Sequence, residues 1–129
     1  MANKKHIPLE DLEIYRLGRK LSKLGWEIYS ELSWQDKKIM GDQFITATDS
    51  FGANIVEGYR RYHYLDKIKF FYNSRASLAE ANDYWLELLK EREKIKEDSY
   101  KKFKGLSEQS SKKLQNFINS IYKAKNSIS

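Results

Sequence analysis

Ile14, Leu17, Leu21, Leu24 and Ile28 recur at alternating spacings of three and four. That spacing keeps all five on one stripe of an α-helix and predicts a first helix from about Leu9 to Leu32. Gly18 and Gly25 stand seven apart inside it. Glycine costs a helix interior about 1 kcal/mol, so a line of glycines predicts the close approach of another helix. Ser33 to Asp36 reads as a turn, with Asp36 or a neighbour capping a second helix. That helix carries Phe44, Thr48, Phe51 and Ile55 in one lane and runs to about Glu57, where Gly58 is expected to supply a left-handed stop. Tyr59 to Tyr64 forms a connector. A third helix is predicted from about Leu65 to Ile95 on Ile68, Phe71, Leu78, Trp85 and Leu89. A fourth, over about residues 99–124, starts at Asp98 or Ser99, or else a loop continues to Ser107; Phe103, Leu106, Leu114, Phe117 and Ile121 fit its buried face. The tail from Ala124 is expected to fray. The single proline, Pro8, precedes all four helices, and no stretch alternates as a strand does. Four helices with short connections fold most simply as an all-α, antiparallel up-down-up-down bundle, here one domain over residues 1–129.

The composition agrees with thin amphipathic helices that expose much surface: 40% of residues are apolar and 33% are charged. The absence of cysteine excludes disulfides, thiolate metal sites and cysteine nucleophiles. Met1 to Pro8 lacks the apolar segment of a signal peptide, and no apolar run approaches the roughly 20 residues of a membrane span. A cytoplasmic protein with no membrane partner is expected.

Helical bundles often hold two metal ions with glutamates and a Glu-x-x-His pair on each of two helices. The two histidines here, His6 and His63, have Asn3 and Arg60 three positions earlier, so that site cannot form, nor does any zinc spacing exist. There is no glycine-rich phosphate loop. Glu80, Asp83, Glu87 and Glu91 line one side of the third helix. An acid/base pair is conceivable there, but Arg75, Lys90 and Lys94 at helical spacings favour an ion-paired face. No catalytic residue and no cofactor are implied.

Net charge is +6, and residues 96–129 alone contribute +5, with eight lysines against three acids. The stretch Lys101, Lys102, Lys104, Lys112 and Lys113 reads as a solvated surface. More specific is the connector Tyr59-Arg60-Arg61-Tyr62-His63-Tyr64 with Lys67, Lys69 and Arg75 after it. Between residues 59 and 75 five basic side chains face one acid, Asp66. Basic residues interleaved with tyrosines suit nucleic acid, with cations on phosphates and rings on unpaired bases. The alternative is a connector whose tyrosines cover the bundle end, with Arg61 paired to Glu57 or Glu80. A polar lane, Gln43, Ala47, Ser50, Asn54 and Glu57, runs beside the apolar lane of the second helix. Either it meets another helix or subunit through satisfied hydrogen bonds, or Asn54 and Glu57 only organise the helix end.

The run from Gln43 through Ala47, Ser50, Asn54, Ile55 and Glu57 to Gly58, with Arg61 after it, resembles the signature of the 23S rRNA intervening-sequence protein family. Asp11-Leu12-Glu13-Ile14-Tyr15, Phe70-Phe71 and Ser77-Leu78-Ala79-Glu80 occupy matching places, so the resemblance spans about Leu9 to Ile121. It implies a four-helix bundle assembled as a homopentamer without catalytic activity. It also implies kinship with the accessory variability proteins of diversity-generating retroelements, which bind a reverse transcriptase and its nucleic acids. The family often has basic residues just after the glutamine, where this chain has Ile45 and Thr46, and a glycine where it has Ala76. The first departure moves any RNA contact from the second helix to the connector and third helix. The leading expectation is therefore an oligomeric, basic accessory protein that binds RNA or single-stranded DNA and partners a reverse transcriptase. Arg60, Arg61, Lys67, Lys69 and Arg75 would carry the charge, and Tyr59, Tyr62 and Tyr64 would stack. The alternative is an oligomeric scaffold with a protein partner and no nucleic-acid role.

Overall fold

The computed structural model describes residues 7–128, so Met1 to His6 and Ser129 lie outside the described residues. Every regular element among the described residues is helical. Pro8 and Leu12 are extended, and between them Leu9–Asp11 make one 3-10 turn. Helix α1, Glu13–Ser30, therefore starts four residues later than its apolar period predicts, as Leu12 leaves the helical path and buries its side chain. Helix α2, residues 34–60, begins as Trp34–Asp36, passes through a π turn at Lys37–Gly41 and continues as Asp42–Arg60. Its cap is Ser33, whose Oγ accepts the Asp36 N–H at 3.1 Å. Helix α3, residues 64–91, comprises Tyr64–Ala79, a second π turn at Glu80–Trp85, and Leu86–Glu91. Helix α4 is Glu97–Ile128. It begins before Asp98, and the tail expected to fray stays helical, with Ser127 Oγ donating to the Ala124 carbonyl.

Helix α1 packs on α2 and α4, and α3 packs on the same two, which is the up-down-up-down bundle. Phe44, Phe51, Phe71 and Phe103 are all fully buried, with the Phe44 and Phe103 rings 5.2 Å apart. The second π turn sets the phase of α3. Leu78, Ala81, Leu86 and Leu89 are buried, and the five-residue step from 81 to 86 needs a wide turn. Trp85, expected in the core, is consequently half-buried and Leu86 takes its place. On α4 the buried stripe is Phe103, Ser107, Ser110, Leu114 and Ile118, while Leu106, Phe117 and Ile121 flank it half-buried. The serines let α4 lie close, and Ser110 satisfies its hydroxyl on the Leu106 carbonyl.

Two helix ends differ from expectation for stated reasons. Gly58 is no left-handed stop: no described glycine has a positive φ, and α2 continues through it to Arg60. A Cβ there would sit 2.7 Å from Phe71 Cε1 and 3.1 Å from the Lys67 carbonyl oxygen, so Gly58 admits the Phe71 ring. Helix α3 stops at Glu91 instead of Ile95 because Glu93 adopts φ 56°. The Lys94 N–H then bonds the Leu89 carbonyl and the Glu93 N–H that of Lys90, a Schellman closure made without glycine.

The same substitution should have opposite effects at two glycines. Gly58→Ala forces a methyl into the Phe71 ring and a backbone carbonyl and should destabilise by about 1–3 kcal/mol. Gly105→Ala, with nothing within 4 Å of the added Cβ, should stabilise by about 0.5–1 kcal/mol. Urea midpoints of the two variants and the wild type check both signs.

Candidate nucleic-acid interface

The turn from α2 to α3 is held by side chains that the sequence presents as basic and aromatic. Arg61, extended at ψ 149°, ends α2. Its guanidinium meets Glu57 at 2.8 Å and lies over the Phe70 ring at 4.6 Å. Lys67 donates to the Tyr59 carbonyl at 3.0 Å and places its Nζ over the Tyr59 ring. Burial pushes its pKa below the ordinary lysine value. Tyr59 is half-buried and donates its hydroxyl to the Ile7 carbonyl, and burial raises its pKa. Arg75 reaches across to α4, where it bonds Gln115 Oε1 at 2.7 Å and covers the Tyr72 ring. Tyr64 is half-buried. These side chains close the bundle end and the α3–α4 seam.

Arg60, Tyr62 and Lys69 point to solvent. Tyr62 is 89% exposed, the highest value among the described large hydrophobic side chains, and meets His63 edge-on at 5.1 Å. Arg60 and Lys69 are exposed and make no hydrogen bond or ion pair among the described residues. The predicted site thus divides into a structural part and a solvent-facing part of one ring and two cations.

The polar lane of α2 meets α3 at its middle, through Ser50. Ser50 Oγ meets Ser77 Oγ at 2.9 Å, and Asn54 Nδ2 donates to the Ser50 carbonyl and hydroxyl. Ala47 is buried, Gln43 is exposed, and Glu57 serves Arg61. Glu80 accepts from Trp85 Nε1 at 2.8 Å, a five-residue reach made by the π turn.

Of the α3 carboxylates, Glu80 is engaged by Trp85, Asp83 by Asn82 and Glu87 by α4. Glu87 binds Lys104 at 2.6 Å and accepts the Tyr100 hydroxyl at 2.5 Å. Lys104 also donates to the Asn82 carbonyl, so it is a half-buried clasp and not part of a solvated lysine surface. The expected partners are engaged elsewhere: Lys94 with Asp36, Arg75 with Gln115, and Lys90 with Glu97 and the Tyr100 ring. Among the described residues no group of three or more His, Cys, Asp or Glu is placed to hold a metal ion. No described helix is long and apolar enough to cross a membrane.

One surface escaped the sequence reading. Arg16, Arg19, Lys20 and Lys23 fall on the outward side of α1 and all are exposed. Their spacing signals it, but the five acids among residues 1–33 hide it in any count of charge by segment.

The fold and this distribution of charge define a four-helix-bundle protein with basic outer faces and small polar seams. The chain belongs to the 23S rRNA-intervening sequence protein family, whose model matches residues 10–116. A solved structure from Bacteroides thetaiotaomicron, a protein of unknown function from the S23 ribosomal protein family, superposes with a TM-score of 0.76. It is 25% identical, and the match covers 81% of this chain and 97% of that one. No curated protein matches the chain.

The Glu87 clasp has a pH signature. The Glu87 hydrogen bond, then burial and the charges of Glu87 and Glu97, push the Tyr100 phenol up to about 12. Lys104 and Tyr100 hold the Glu87 carboxyl below its ordinary value. A raised phenol pKa stabilises the fold fully below pH 10, and that contribution fades as pH rises through about 12. Ultraviolet titration of Tyr100→Phe should lack the last-ionising tyrosine. Its melting temperature should fall less than that of the wild type over the same alkaline range.

Proposed function

We propose that this protein is a non-catalytic, self-associating accessory protein that binds single-stranded nucleic acid without sequence preference. The outward-facing trio Arg60, Tyr62 and Lys69 at the α2–α3 corner carries the reading. Two exposed cations with no hydrogen bond or ion pair among the described residues share this corner with a ring that is 89% exposed, which matches the combination of phosphate neutralisation and base stacking used on single strands. The net charge of +6 adds a long-range attraction for polyanions. The family's name links its members to ribosomal RNA genes. Self-association as a pentamer and a reverse transcriptase partner are proposed from the family resemblance, and they are tested by light scattering and by co-purification with that enzyme.

A second reading, an oligomeric scaffold for a protein partner, is favoured by exposed apolar side chains. Trp34 is 74% exposed, Leu65 62% and Ile39 54%. It predicts an oligomer that purifies free of nucleic acid and leaves RNA unshifted on a gel.

The two readings separate on salt. For single strands, log K falls against log salt by about 0.7 for each phosphate neutralised. Arg60→Ala/Lys69→Ala should lower that slope by about 1.4, the sum for two phosphates at about 0.7 each. Tyr62→Ala should cost about 1–3 kcal/mol of binding while leaving the slope unchanged. Fluorescence anisotropy with a labelled oligonucleotide over a salt series measures both. Wild-type protein that leaves the oligonucleotide unbound at low salt would falsify the nucleic-acid reading and favour the scaffold.

A further inference from the structure

The outer face of α1 ends in an aromatic pair. Trp26 lies one turn beyond Lys23, is 57% exposed, and stacks on Tyr29 with centroids 5.1 Å apart at 27°. Tyr29 is held in turn: its hydroxyl donates to Asp42 at 2.7 Å, and the Lys37 Nζ lies 5.2 Å from its ring centroid. The indole is therefore backed by a fixed ring and open on its outer side.

The cations leading to it are also placed. Arg16 is steadied by Asp11 at 3.3 Å and by the Glu10 carbonyl at 2.8 Å. Arg19 donates to the Tyr15 hydroxyl at 3.0 Å, and its guanidinium faces that ring. Neutral partners leave the Arg19 charge uncompensated. Lys20 and Lys23 have no acidic partner among the described residues. Other acids of α1 and the start of α2 are engaged elsewhere: Glu13 by Lys113, Glu31 by Lys96, Asp36 by Lys94 and Asp42 by Tyr29. Glu27, four residues after Lys23 in the same row, and Asp49 on α2 make no ion pair among the described residues.

From Arg16 to Lys23 is two turns, about 10 Å along the axis, and Trp26 follows about 5 Å further. The stripe starts at the bundle end where Tyr59 meets Ile7 and runs toward the opposite end, since Gly18 of α1 lies against Gly52 of antiparallel α2.

We infer that α1 is a second track for single-stranded nucleic acid, with phosphates on Arg16, Arg19, Lys20 and Lys23 and an unpaired base stacked on Trp26. The inference rests on the nucleic-acid reading above and adds a surface distinct from the α2–α3 corner. Charge complementarity selects a polyanion, and an open indole at the end of the stripe selects one with unpaired bases. An anionic membrane is disfavoured because the apolar face of α1, Ile14 to Ile28, is buried in the bundle.

The test uses the full chain and a labelled oligouridylate, with anisotropy for affinity and intrinsic tryptophan fluorescence for stacking. Lys20→Glu/Lys23→Glu should weaken binding at least tenfold. Trp26→Phe should abolish most of the fluorescence quench, whereas Arg60→Ala/Lys69→Ala should retain it. Lys20 and Lys23 are exposed and unpaired, so an unchanged melting curve is expected, and Trp26→Phe provides a variant that keeps the local charge. Wild-type binding that survives both Lys20→Glu/Lys23→Glu and Trp26→Phe overturns the α1 track and leaves the broader reading standing. No wild-type binding overturns both. Equal competition by duplex RNA, or tighter binding to phosphatidylserine vesicles than to the oligonucleotide, also overturns the track.

Discussion

The bundle depends on how closely α2 can approach its two neighbours. On one side a Cβ at Gly18 would stand 3.1 Å from the Gly52 Cα, and one at Gly25 would stand 3.1 Å from Thr48 Cγ2. On the other side the contact is polar and equally thin. Ser50 meets Ser77, and Ser74, fully buried on α3, donates to the Phe51 carbonyl at 2.9 Å. A buried hydroxyl is tolerated only when it finds such a partner. Both seams thus place α2 backbone against small groups, and the large side chains Phe44, Phe51 and Ile55 project between them into the core. A larger residue at either seam pushes α2 outward and loosens the packing of those three together.

Close seams leave narrow apolar stripes, and narrow stripes leave wide outer faces. That is why a third of this chain is charged without being unfolded. Most of the ion pairs on those faces are open to water, where each contributes only about 0–1 kcal/mol. The clasp of Glu87, Tyr100 and Lys104 differs because three groups share it and Lys104 also bonds a backbone carbonyl. It joins α3 to α4 just after the second π turn.

Four helices, their order and most of the core were legible from the period of the apolar residues alone. What escaped the period has local causes. A π turn costs nothing visible in composition, so the shift of the buried stripe from Trp85 to Leu86 could not be read. Glu93 takes a left-handed conformation that glycine usually marks, so the end of α3 carried no signal. Gly58 carried a signal that fits two mechanisms, a left-handed cap or a close contact, and only the position of Phe71 distinguishes them. On α4, Ser107 and Ser110 are polar by residue type, so the apolar period skips them, yet both are buried, with Ser110 donating to the Leu106 carbonyl. The α2–α3 corner was visible as a cluster of residue types, whereas the split between its anchored and its open members depends on side-chain partners.

That split bears on how basic surfaces should be weighed. A cation over a ring or on a backbone carbonyl is already partly satisfied, and reaching a phosphate means giving up those contacts. By that measure Arg61, Lys67 and Arg75 are poor donors to an external ligand, although they lie in the densest basic stretch of the chain. The α1 stripe is sparser in sequence, but helical spacing sets its charges in one row, and Lys20 and Lys23 have no acidic partner among the described residues, while Arg16 and Arg19 are held by Asp11, the Glu10 carbonyl and Tyr15. Whether a lysine or arginine is available is decided by what its neighbours in the fold have already taken. Local charge density in the sequence is therefore a weaker guide to a binding face than the cations, here Lys20 and Lys23, that the fold leaves without an acidic partner among the described residues.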